Sequence, residues 1–231
     1  MLLIFIVTLT LFTSDNLSHN VIGKNPGITD AGHLAFYSDI YNNLSSTVQK
    51  PDVKVFREAL KGFVYLKETG RTGKNILTII DFSLSSNKER MWIIDMGRAE
   101  VIHLGLVAHG RNSGEEYASS FSNSFLSNKS SLGFYITGKT YSGKHGLSLY
   151  LDGIEPGIND NARARAIVIH SAGYVSREFI NDYGRLGRSF GCPAIATEDH
   201  EKIINLLSGG SCLFIYYPDD NYYTNSRLLS K

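Results

Sequence analysis

The stretch Gly187-Arg188-Ser189-Phe190-Gly191-Cys192-Pro193 holds two nucleophile-type side chains three residues apart. Ser189 falls inside a formal Gly-x-Ser-x-Gly match. Such an elbow works on a strand–turn–helix, with oxyanion donors from a separate loop and a histidine later in the chain. The preceding residues DYGRLGR do not read as a strand, and after Ser189 the sole histidine is His200, on an expected short helix. Cys192 has better surroundings. A thiol is only a few per cent ionised at neutral pH and needs a base or a positive field. Arg185 and Arg188 lie just upstream, Gly191 offers an unobstructed N–H for a developing oxyanion, and Pro193 fixes the turn. The other cysteine, Cys212, opens the apolar run CLFIYY and reads as a core-facing strand residue.

The base that a thiol or a hydroxyl would need is offered by His170, at the end of AIVIH and just before SAGYV. A histidine where a buried strand meets a loop is rigid at one end and reachable at the other. The bland alternative is a half-buried histidine closing a strand. Five arginines (Arg163, Arg165, Arg177, Arg185, Arg188) and no lysine lie between Asn161 and Cys192, opposed by Glu178 and Asp182 alone. An arginine fork suits bidentate carboxylate binding. Arg188 is the expected substrate contact, whereas Arg163 and Arg165 read as the solvated start of a strand. His109 and Tyr174 are expected on the cleft wall. The seven histidines and two cysteines show no zinc-type spacing, so no metal or organic cofactor is expected.

These side chains must be held by a β-rich scaffold. From Ile76 onward, ILTIIDFSL, RMWIIDM, VIHLGLVAH, LGFYITG, LSLYLDGI, AIVIH and CLFIYY are short β-branched or aromatic runs separated by turn clusters. They imply a mostly β (α+β) fold, a sandwich or partly closed barrel. An amphipathic helix is expected near the C-terminus, about Thr197 to Leu207, and a polar, frayed tail over 219–231. A helical segment is expected within 26–70, about Leu34 to Thr69, with Pro51 at a first helical position and Phe56, Ala59, Leu60, Phe63 and Val64 as a packing stripe. Residues 1–25 read as an apolar leader and linker. The run MLLIFIVTLTLF would extend only ~17 Å as a helix, short of a ~30 Å bilayer core, and suits a secretory signal. A net charge of +1 gives no reason to expect nucleic acid as a partner.

IVIHSAGYV followed by GRLGRSFGCPAI resembles the signature of the murein L,D-transpeptidase catalytic domain family, in which a histidine precedes a serine–x–glycine–cysteine motif. DFSLSSNKERMWIIDM, LVAHGRNSGEEYASSFSNSFLSNKSSLGFYITG, YSGKHGLSLYLDGIEPGIN and GGSCLFIYYP extend the resemblance over about Ile76 to Pro218, within an expected catalytic domain of 71–218. It implies an L,D-transpeptidase-type β-sandwich, Cys192 as nucleophile and His170 as base, with Nδ1 held by a carbonyl near Ser171. It implies that the amides of Gly191 and Cys192 form the oxyanion hole and that Ser189 positions the histidine or the substrate. The implied partners are peptidoglycan stem peptides, with no lipid substrate, and the implied location is the periplasm or cell envelope. Pro193-Ala194 departs from the family's usual apolar residue followed by arginine, so carboxylate recognition must come from elsewhere, such as Arg188. An L,D-carboxypeptidase, a serine hydrolase using Ser189 and a non-catalytic cell-wall binding module are the alternatives.

Overall fold

The computed structural model describes residues 30–229, with side chains from 37 onward; the expected leader lies outside the described residues. Helix α1 (Asp30–Asn43) is followed by α2 (Val53–Glu68). Asp52 caps α2, its carboxylate accepting the N–H groups of Lys54 and Val55 at 2.8 and 3.4 Å. Pro51 therefore precedes the cap rather than opening the helix, and its carbonyl accepts the Tyr41 hydroxyl at 2.9 Å. Val55, Phe56, Ala59, Leu60, Phe63 and Leu66 recur at helical spacing and are buried. They lay α2 on the sheet so closely that a Cβ at Gly62 would sit 2.2 Å from the Phe134 ring. The N-terminal helical segment packs on the sheet.

The sheet has nine strands: β1 (Ile76–Asp81), β2 (Met91–Asp95), β3 (Glu100–Gly105), β4 (Val107–Ala108), β5 (Gly133–Gly143), β6 (Gly146–Gly153), β7 (Val168–Ser171), β8 (Ala194–Ile195) and β9 (Cys212–Tyr216). Their order is β3-β2-β1-β9-β5-β6-β7-β8-β4. The edge strands β3 and β4 are separated in the chain by Leu106 alone, so the sheet curls until its two edges almost meet. That is the physical meaning of a nearly closed barrel. The run VIHLGLVAH, legible as one strand, is split there between the two edges. Arg90, fully buried, ties the seam: its backbone N–H donates to Gly105 at 3.0 Å and its Nη2 to the Val107 carbonyl at 2.9 Å.

β1 and β9 run parallel in the middle of the sheet, and Cys212, paired opposite Leu77 and Ile136, is buried as its run suggests. The helix expected from Thr197 is α4 (His200–Leu207), which begins only at His200, after Asp199 with a left-handed φ of 55°. The helix α3 (Arg177–Tyr183) was not legible as an element, although Ser176 caps it and Gly184 closes it at φ 73°.

The tail differs from the frayed segment expected. Asp220–Asn225 forms α5, and Tyr222 and Ser226 reach inward to the buried carboxylate of Glu155. Glu155 also accepts the Phe134 N–H at 2.7 Å. Burial holds this carboxyl above the usual range. A carboxylate taken out of water needs donors, and the tail supplies two of them.

Candidate active site

The turn 187–193 runs into β8 and is gripped from three sides. From one side, the His109 carbonyl accepts the Ser189 N–H at 3.0 Å and the Arg111 N–H donates to the Ser189 carbonyl at 2.8 Å. From a second, Ser130 Oγ donates to the Gly191 carbonyl at 3.0 Å. On the third, the Gly187 N–H donates to the Tyr174 carbonyl at 2.9 Å. Gly191 is required here: its φ is +124°, and an added Cβ would meet the Lys129 carbonyl at 2.8 Å. Gly110 is as tightly placed, since its Cβ would lie 2.8 Å from the Gly191 Cα.

Ser189 closes the turn on itself. Its hydroxyl donates to the Cys192 carbonyl at 2.6 Å and accepts the Gly191 N–H at 3.0 Å, and the residue is 5% exposed. Both hydrogen-bonding directions are thereby used within the turn. Ser189 thus positions the turn rather than the histidine. The Gly191 N–H, expected to face an oxyanion, is spent on that hydroxyl.

Cys192 is partly exposed, with its sulfur lying against the start of β7: the Val168 N–H points at Sγ at 3.5 Å, and Sγ lies 3.6 Å from the Ala166 carbonyl. Burial pushes the thiol up, while the Val168 N–H and the charges of Arg165 and Lys144 pull it back. His170 stands on the same strand, two residues beyond Val168 and opposite Ala194 of β8. Those two residues correspond to about 6.6 Å of strand rise, and they place Val168 and His170 on one face. His170 Nδ1 meets the Ser171 carbonyl at 2.9 Å. A carbonyl only accepts, so Nδ1 carries the proton and Nε2 keeps its lone pair. Burial, with lesser help from His145 and Lys144, holds the imidazole below its ordinary value despite the Ser171 bond. At neutral pH it is an uncharged ring with one basic nitrogen.

His145, at the exposed tip of the β5–β6 hairpin, stacks on His170 with ring centroids 4.5 Å apart and planes 22° apart. Ser171 Oγ reaches the His145 carbonyl at 3.5 Å. His145 sits in the turn YSGKHG between two strands, a place that carries no sign in the sequence of what it covers. Tyr174 is half-buried, its ring pressed against Gly187, where an added Cβ would be 2.5 Å from the ring. Burial, then the charge of Cys192, pushes its hydroxyl up to about 12, so it remains a donor.

One residue expected on the cleft wall is placed otherwise. His109 is 1% exposed and faces inward, its Nδ1 accepting from Arg90 Nη2 at 2.8 Å. Burial and the adjacent guanidinium hold its imidazole down at about 4, and burial holds Arg90 down at about 9. A neutral His109 thus fixes the backbone that grips Ser189. Below 6.5 the unfolded chain takes up a proton that the folded ring refuses until about pH 4. The unfolded state binds more protons in that window, so stability falls as pH drops through it, by roughly 3 kcal/mol in all. Urea titrations from pH 7 to pH 4 should show that loss, and His109→Gln should flatten it.

Arg188, the expected carboxylate contact, has its Nη1 donating to the Arg111 and Gly114 carbonyls and to Glu115 at 2.6 Å. Glu115 also pairs with Arg185 at 3.0 Å. Arg165, read as a solvated residue, is instead clamped: Nη1 donates to the Ser122 carbonyl and Ser131 Oγ, and Nη2 to Ser127 Oγ and the Lys129 carbonyl. Lys129's carbonyl is the one packed against Gly191, so the clamp fixes the wall behind the turn and keeps a charge near the thiol. Arg163 is surface-exposed and pairs with Asp152 at 2.6 Å.

Among known structures, an L,D-transpeptidase from Mycobacterium smegmatis is 12% identical, with 63% of this chain and 60% of that one aligned and a TM-score of 0.40. L,D-transpeptidase 3 from Mycobacterium tuberculosis is 14% identical over 63% of this chain and 62% of that one, at a TM-score of 0.40. An L,D-transpeptidase (Yku) from Stackebrandtia nassauensis is 11% identical over 82% of this chain and 80% of that one, at a TM-score of 0.38. The chain thus spans about three fifths of the length of the first two. No curated protein matches the sequence. The family model of the L,D-transpeptidase catalytic domain matches residues 47–216, which takes in α2 as well as all nine strands. With that match covering well over half of its length, the chain belongs to the L,D-transpeptidase catalytic domain family.

Proposed function

We propose that this chain is a cysteine L,D-transpeptidase that acts on peptidoglycan tetrapeptide stems through a thioester at Cys192. The observation that carries the reading is the placement of Sγ against Val168, on the strand that bears a neutral His170 whose Nδ1 is already committed to Ser171. A raised thiol requires a base, and the free Nε2 is one. The thiol proton passes to Nε2 as sulfur attacks the carbonyl of the stem's third residue. The imidazolium then protonates the departing D-Ala amine as the C–N bond breaks, leaving a thioester. An acceptor amine attacks that thioester, gives its proton to Nε2 and expels the thiolate, which recovers the proton. The product is a 3→3 cross-link. The Cys192 amide and the protonated Tyr174 hydroxyl serve as the donors beside the oxyanion, in place of the committed Gly191 amide.

This chemistry places the protein in the cell envelope, where stem peptides are found. Among the described residues no helix is long and apolar enough to cross a membrane. Ser189 as nucleophile is disfavoured by its burial and by the two hydrogen bonds that occupy its hydroxyl.

Intact-protein mass spectrometry with a tetrapeptide donor tests the reading. The expected result is a mass increase equal to the stem minus D-Ala, confined to the peptide that carries Cys192. Product analysis with an acceptor amine should then give the 3→3 dimer; tripeptide alone would make the enzyme an L,D-carboxypeptidase. Absence of any adduct would overturn the assignment.

A further inference from the structure

Arg165 has both terminal nitrogens committed to the protein and Arg188 its Nη1, so neither presents an undivided fork to the carboxylates of a stem peptide. A different arginine stands at the mouth of the turn. Arg111 is bonded through its backbone to Ser189, and its neighbour Gly110 touches Gly191. Its guanidinium lies 4.8 Å from the ring centroid of Phe190, two residues before the nucleophile, and that ring is 62% exposed. Among the described residues the Arg111 side chain has no ion pair and no side-chain hydrogen bond. We propose that Arg111, laid on Phe190, is a subsite for a free carboxylate of the donor stem peptide.

The physical reason is directional. A cation held over a ring face uses none of its N–H donors in a conventional hydrogen bond, so the fork that a carboxylate accepts stays available. The aromatic platform also restricts a side chain that would otherwise lose more rotamer freedom on binding. Arg188 has a part in this too: its Nη1 holds the Arg111 carbonyl at 3.1 Å, which fixes the backbone from which the stacked side chain projects. Glu115, the nearby acid, is already held between Arg185 and Arg188.

The subsite rests on the L,D-transpeptidase reading, and one set of assays separates their failures. Release of the fourth residue, as D-Ala or as its amide, is measured for the wild type, Arg111→Gln and Arg111→Lys with a tetrapeptide stem whose carboxylates are free and with the same stem fully amidated. Arg111→Gln is expected to lower kcat/KM on the free-acid stem about 10- to 100-fold, mainly through KM, and to leave the amidated stem within about two-fold. Arg111→Lys should recover part of the loss, since it keeps the charge without the fork. The side chain is exposed, and unchanged alkylation of Cys192 by iodoacetamide shows that the turn is intact. Equal penalties on both stems, or none on either, would overturn the subsite alone. If the wild type releases the fourth residue from neither stem, the transpeptidase reading falls and takes the subsite with it.

Discussion

Replacing Cys192 by alanine is expected to lower tetrapeptide turnover by on the order of 10⁴-fold or more, since it removes the atom that forms the acyl bond. The protein should still fold. Cys192 is partly exposed in a turn whose shape is set by the Ser189 hydroxyl and the Gly191 backbone, neither of which depends on the sulfur. Thermal denaturation should therefore move little while the acyl-enzyme mass disappears. Cys192→Ser keeps the size and tests the chemistry, because an alcohol beside the same imidazole is a far poorer nucleophile at neutral pH. Cys212 provides the control. It is wholly enclosed by β1 and β5, and burial pushes its thiol far up, so a thiol-directed alkylator should modify one site per chain and leave Cys212 untouched. Retained turnover in Cys192→Ala would end the cysteine mechanism.

The second large effect belongs to His170. Its removal in His170→Ala is expected to cost roughly 10³-fold in kcat with a small change in KM, within the range that positioned general bases supply. The pH profile is the more telling measurement. Burial holds the imidazole below 6.5 and the Cys192 thiol above 9.0 in the resting enzyme. Both groups are then neutral across the intervening range, and kcat/KM should be flat there. The acid limb should have its midpoint below 6.5, where Nε2 takes a proton and ceases to be a base. In His170→Ala that limb should vanish, and the residual rate should rise with pH as thiolate forms unaided. An acid limb that persists unchanged in the variant would assign it to another group. His145 and Lys144, which both press the His170 proton affinity downward, lie on the hairpin tip.

Local chemistry in the sequence carried the strands, the burial of Cys212 and the stripe of α2, because alternation and helical spacing are properties of neighbouring residues. What failed had a common cause. Arg165 reads as solvated from its place along the chain, and its partners in the 122–131 loop are tens of residues away. His109 reads as a cleft-wall residue because Arg90, which bonds to it across the seam between β3 and β4, lies nineteen positions earlier. The polar tail looked soluble because the acid that anchors it, Glu155, lies in a different part of the sequence.

The amino-acid order alone determined which groups could react and the β-rich scaffold that would hold them, since those follow from side-chain chemistry and short-range periodicity. The tertiary structure alone decided which donors remained available for a substrate. It spent the Gly191 amide on Ser189 and Nη1 of Arg188 on Glu115, and left Arg111 over the ring of Phe190. A hydrogen bond once made inside the fold is withdrawn from catalysis, and the partners that make it meet only when the sheet has curled its edges together.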